Sequence, residues 1–99
     1  MTIEYNEPEI TGGWPDEYTD VNDSSEDMFL DLQDQVESEM GRGFDYFQPI
    51  QYKKQVVNGI NYEVIYDIGG GKFLQVNYYK DLNDAISFYG FYYVEDPQI

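Results

Sequence analysis

No cysteine and no histidine occur among the 99 residues. The first absence excludes disulfides and thiolate chemistry and removes any tie to an oxidising compartment. The second removes the usual base of nucleophilic catalysis, and Ser24, Ser25, Ser38 and Ser87 have no evident alternative, so the chain is not expected to be an enzyme. Basic residues are scarce as well, five Lys and Arg against twenty Asp and Glu, which leaves a net charge of −15. A field of that sign repels nucleic acid and anionic membrane surfaces and draws basic partners. No apolar run approaches a membrane span, and Met1–Tyr5 lacks the basic stretch and apolar core of a secretory signal. The expectation is a soluble, cytoplasmic protein that binds neither nucleic acid nor membrane.

What is present argues for a folded chain. Hydrophobic residues make up 41% and aromatic ones 18%, too many for a disordered segment despite the charge. Eleven Tyr and six Phe supply the large buried area per residue that a small domain without disulfides needs. The length supports one domain, residues 1–99, with one modest core.

Pattern divides that domain. Thirteen of the twenty acids lie in residues 1–39, whereas all five Lys and Arg lie between Arg42 and Lys80. Residues 1–23 show no period and carry Pro8, Pro15 and the Gly12-Gly13 pair, which predicts an acidic, largely mobile leader. Residues 24–40 read as a helix: Ser24 offers a cap, and Met28, Phe29, Leu32, Val36 and Met40 fall on one stripe. Gly41 and Gly43 end it, with Arg42 at the negative end of the helix dipole.

Residues 44–94 read as an antiparallel meander. Ile60, Tyr62, Val64, Tyr66 and Ile68 alternate with Asn61, Glu63, Ile65 and Asp67, and Leu74, Val76 and Tyr78 with Gln75 and Asn77. Asn58-Gly59 marks one hairpin, Gly69-Gly70-Gly71 the next turn, and a last strand runs from Ile86 to Val94. The fold class is therefore α+β, one helix against an antiparallel sheet of four to five strands. In the last strand the two-residue period puts Tyr89, Phe91 and Tyr93 opposite Ile86 and Phe88. With Tyr79 they read as sheet-face packing with hydroxyls at the surface rather than as a second binding patch.

No cofactor or metal site is expected. Asp20–Ser24 has a faint look of a calcium loop, but Ser25 stands at the position for Gly and Asp31 at the position for the closing Glu. The glycines 69–71 open a strand rather than a helix, which argues against a phosphate cradle.

Gln55-Val56-Val57-Asn58-Gly59 matches the Gln-x-Val-x-Gly signature of the cystatins. The flanks strengthen the match: Phe44 to Lys53 resembles the stefin strand that enters this loop. Asn61-Tyr62, Gly71-Lys72-Phe73 and Tyr79-Lys80-Asp81-Leu82 resemble the strands that follow. Asp34-Gln35-Val36 is similar to the stefin helix, and Ile10-Thr11-Gly12-Gly13 to the glycine-bearing N-terminal trunk. The chain is thus identified as similar to stefin-type cystatins over about residues 10–94.

This resemblance implies the cystatin fold and reversible, non-covalent inhibition of papain-like (cathepsin-like) cysteine proteases. Three edges would form a wedge that fills the protease cleft. Ile10 and Thr11 would enter the non-primed subsites, while Gly12 and Gly13 let the backbone pass the catalytic thiolate. Gln55, Val56, Val57, Asn58 and Gly59 would enter the primed side, and Leu82 and Asn83 would form the third edge. Asn83 stands where stefins usually have Pro, which predicts a less rigid edge there, and both that loop and the helix-to-strand connection look shortened. A monomer is expected, with opening of the first hairpin as a route to a domain-swapped dimer. The alternative reading is an acidic interaction protein on a cystatin-like scaffold, a nucleic-acid mimic or blocker of a basic surface, which accounts better for the charge.

Overall fold

The computed structural model describes residues 13–95, and Ile10, Thr11 and Gly12 lie outside the described residues. The elements are β1 (Thr19–Asp20), α1 (Asp23–Leu30), α2 (Gln33–Met40), β2 (Gln48–Val57), β3 (Gly59–Gly69), β4 (Lys72–Lys80) and β5 (Ile86–Val94). The strands form one antiparallel sheet in chain order, and the helical segments cover one of its faces.

The cap of the helix sits two residues before the expected Ser24. Asn22 Oδ1 accepts the backbone N–H groups of Ser24 and Ser25 at 3.0 Å each. Ser25 Oγ in turn accepts the Asn22 N–H at 3.0 Å, completing a reciprocal box. Asn is as good a cap as Ser, and Ser24, inside the first turn, instead donates its hydroxyl to Asn22 Oδ1 at 2.8 Å. α1 and α2 are one helix with a tightened joint: Asp31 and Leu32 keep right-handed helical angles, but the Leu32 N–H bonds back three residues to the Phe29 carbonyl at 3.3 Å. That carbonyl also accepts the buried Tyr66 hydroxyl at 2.8 Å, which ties the joint to the centre of the sheet.

The stripe of the helix and the alternate residues of the strands make the core. Phe29, Leu32 and Val36 meet Tyr62, Val64 and Tyr66 of β3 and Leu74, Val76 and Tyr78 of β4. Phe44 and Phe47 fill the end beneath the helix-to-strand connection, with Phe47 stacked on Tyr66 at 4.0 Å. Burial pushes the phenols of Tyr62, Tyr66 and Tyr78 up, so they stay neutral inside the core. Truncating one such residue, as in Leu32→Ala, costs about 2–5 kcal/mol.

Two features depart from the pattern reading. β1 lies inside the stretch expected to be a mobile leader; it pairs Thr19 with Tyr52 and Asp20 with Gln51, and at two residues it is too short to show a period. In β5, Tyr78 faces Phe88 and Asn77 faces Gly90, so Tyr89 is an extra residue in a bulge. The bulge resets the alternation. Phe91 therefore lies with Phe88 on the core side, rings stacked at 5.6 Å, rather than opposite it.

The second hairpin turn joins β3 to β4 through Gly70 and Gly71, with φ of +66° and +77°. Positive φ at both central residues is what a two-residue turn of the primed type requires.

Candidate functional site

β2 and β4 run in the same direction, so the turn after β2 and the loop after β4 emerge at one end of the sheet. That end carries the sequence-predicted residues Gln55 to Gly59, Leu82 and Asn83. Gln55, Val56 and Val57 close β2, Asn58 is the turn, and Gly59 opens β3, with Val57 paired to Gly59. Leu82 and Asn83 sit in the 81–85 loop, adjacent because Ile60 pairs with Lys80. β1 runs antiparallel to β2, which places residues 13–18 on the side of β1 toward the same end. Gly13 is exposed, with open space where a side chain would stand.

Strand alternation makes the hairpin a blade. Val56 lies across from Ile60, while Gln55 and Val57 project from the opposite face. Val56 is 46% exposed although it is aliphatic, and Leu82 in the neighbouring loop is 73% exposed. The Gln55 side-chain carbonyl accepts from the Asn61 amide at 2.9 Å, a cross-strand bond that fixes the base of the blade.

Tyr79 braces the tip. Its hydroxyl donates to the Asn58 carbonyl from β4, across the position of Gly59. A Cβ on Gly59 would stand 2.7 Å from the Lys80 carbonyl oxygen and collide with the Tyr79 ring, and the φ of +112° is a conformation that side-chain-bearing residues rarely adopt. Glycine is needed there for both shape and space.

The second loop is fastened by Asp81. Its Oδ1 accepts the N–H groups of Asn83 at 2.8 Å and Ala85 at 2.9 Å, while its carbonyl accepts the Asp84 N–H at 2.9 Å. The Asp81 N–H donates to the Ala85 carbonyl at 3.0 Å, and Lys80 pairs with Asp84 at 3.7 Å. These bonds order the backbone around Asn83, where the sequence predicts a less rigid edge.

Tyr18 anchors the approach of the N-terminal segment. Its hydroxyl donates to the Glu63 carboxylate on β3, and the Lys53 ammonium lies 4.5 Å from the centre of its ring. Burial, helped by that carboxylate, pushes the Tyr18 phenol well above its ordinary range.

Tyr79, Asp81 and Tyr18 are the contributors that sequence reasoning missed. An Asp two residues before an exposed amide is a known turn signal and could have singled out Asp81. Tyr79 and Tyr18 carry no local signal, because their roles depend on strand register. Chemically, the edge offers shape, apolar surface and backbone groups. Among the described residues no cluster of His, Cys, Asp or Glu is arranged to hold a metal, and no helix is long and apolar enough to cross a membrane.

Residues 34–86 match the family model of the Cystatin domain, a span that holds both loops. The chain is similar to Cystatin-A of Mus musculus, 41% identical over 49 residues that cover 50% of each chain. It is similar to Cystatin-A1 of Sus scrofa, 31% identical over 52% of this chain and 50% of the relative, so this chain spans about half the length of these two curated relatives. Cystatin-A3 of Dictyostelium discoideum is matched over its whole length, covering 81% of this chain at 27% identity.

Proposed function

The chain belongs to the cystatin family and is of the stefin type, and from that premise we propose that it is a reversible, non-covalent inhibitor of papain-like cysteine proteases. Cystatins are inhibitors of proteases rather than enzymes. The observation that carries the proposal is the braced edge: exposed Val56 and Leu82 on the neighbouring hairpin and loop, the hairpin held by Tyr79 from β4 and the loop by its own Asp81.

In this reading the edge enters the protease cleft as a wedge, with the hairpin of Gln55 to Gly59 on the primed side and Leu82 and Asn83 beside it. Ile10 to Gly13 reach the non-primed side. Nothing is cleaved, since inhibition consists of filling and drying the cleft. Loops ordered before contact lose little entropy on binding, which is why the Tyr79 and Asp81 bonds matter more than the contact area. The apolar groups at the centre would dominate the affinity, and the acidic surface would act on encounter rate. One domain would carry the whole activity.

Titration of the purified protein into papain with a fluorogenic peptide substrate tests the proposal, together with a variant lacking residues 1–13 and with Val57→Asp. Tight inhibition is expected, weakened by the truncation. An unpaired carboxylate buried in the cleft costs several kcal/mol, so Val57→Asp should lose at least about 100-fold in affinity. Full-strength inhibition by Val57→Asp would remove the hairpin from the mechanism. No inhibition of several papain-like enzymes, with salt-sensitive binding to a basic protein instead, would favour the acidic interaction protein.

A further inference from the structure

At the end of the sheet remote from the wedge, a cavity of about 370 Å³ opens between the connection after the helix and the termini of β3, β4 and β5. Lys72 and Lys80 bound β4, so the cavity is about 26 Å from the 81–85 loop at the usual rise per strand residue. Its volume falls at the small end of the range for ligand pockets. Ile68, Phe73 and Val94 supply apolar wall, and Arg42, Lys72, Tyr93 and Glu95 supply the polar groups.

Two of the five cations of this strongly acidic chain therefore converge on one cavity. Arg42 is held in place: its guanidinium lies 4.2 Å from the centre of the Phe44 ring, Nε donates to the Gly43 carbonyl at 3.3 Å, and Nη1 donates to the Tyr93 hydroxyl at 3.1 Å. A guanidinium has five N–H donors, so these bonds leave others for a ligand. Among the described residues, neither Arg42 nor Lys72 forms an ion pair with an acid, whereas Lys80 does. With Glu95 also in the lining, the lining carries one net positive charge.

We propose that this cavity binds a small amphipathic monocarboxylate, its carboxylate between Arg42 and Lys72 and its apolar body against Ile68, Phe73 and Val94. Planar carboxylate suits the Arg fork and the cation pair. The single net positive charge and the anionic field of the whole protein disfavour phosphates and other dianions. The apolar wall selects against small hydrophilic acids.

The test is a ¹H–¹⁵N NMR titration of the full chain with octanoate, alongside 1-octanol and inorganic phosphate. Octanoate should give saturable shifts at Gly71, Lys72 and Tyr93, with none at Asn58 or Leu82, and half-saturation on the order of 1 mM or below. Octanol and phosphate should bind at least about tenfold more weakly, and Arg42→Gln and Lys72→Gln should each weaken octanoate by about tenfold. Absence of saturation, equal binding of octanol, or full affinity in both variants overturns the proposal. Papain inhibition by Arg42→Gln should equal that of the parent protein, so the cavity and the wedge can fail independently.

Discussion

The two ends of the sheet solve the same problem, turning one long strand into the next, with glycine used for different reasons. At the far end Gly70 and Gly71 adopt positive φ with open space around both Cβ positions. At the wedge end Gly59 has positive φ and is also crowded by Tyr79 and the Lys80 carbonyl. The far turn needs a backbone shape, whereas the near turn needs that shape and the room for a brace. A conformational requirement can be met by other residues that tolerate the left-handed region, but a space requirement cannot.

The largest expected effect follows at Gly59. Gly59→Ala adds strained backbone to a steric clash, which together cost about 2–4 kcal/mol of stability. Its inhibition constant should rise more than its stability loss alone predicts, because the Tyr79 bond to Asn58 must open. Chemical denaturation and papain titration on one preparation separate the two. A stability change below that range would show the crowding is easily relieved and would erase the contrast between the ends.

Asp81→Ala comes next. It removes the acceptor for two N–H groups that water can still reach, so about 1 kcal/mol of stability is expected with a weaker wedge. Amide exchange at Asn83 and Ala85 should quicken while exchange in the Asn58 hairpin stays as it was. At the far turn, Gly70→Asn should change the unfolding free energy by less than about 0.5 kcal/mol, since Asn-Gly is a preferred pair for this turn.

The smallest effect concerns the connection beside the far end. Glu37 accepts from the Gln33 amide at 3.0 Å and from the Phe44 N–H at 2.8 Å, and these bonds hold its carboxyl below the ordinary glutamate value. Since the folded value is the lower one, its stabilising contribution is complete above the ordinary value and is lost as pH falls through the lowered one. The Phe44 amide resonance should titrate with a midpoint below that of a free glutamate, and the stability difference between the parent and Glu37→Gln should vanish in stronger acid.

Much of this was legible in the sequence for physical reasons. The helix stripe from Met28 to Met40 and the alternation in β3 are long enough for their periods to stand out, and Asn58-Gly59 and the glycine triplet mark turns by backbone chemistry. β1 was illegible because two residues cannot show a period and its pairing depends on a distant strand. The faces of β5 were misread beyond Phe88 because the alternation was carried straight through Gly90, although glycine inside an aromatic strand is itself a bulge signal. At the first hairpin, the turn itself could be read locally from Asn58-Gly59, but the Tyr79 contact that braces its tip and the Tyr18 contact that anchors the N-terminal segment exist through register alone.

The β5 bulge also bears on how the protein stays dissolved. β5 is an edge strand, and its nine residues from Ile86 to Val94 are uncharged and rich in aromatics, a composition that would favour stacking into fibrils if the strand lay flat. The extra Tyr89 bends the strand and breaks the regular spacing of its outward N–H and C=O groups, while Tyr92 folds back over Gly90. A second molecule arriving at this edge finds no continuous ladder to extend, so the irregular turn of the strand guards against polymerisation where charge is locally absent.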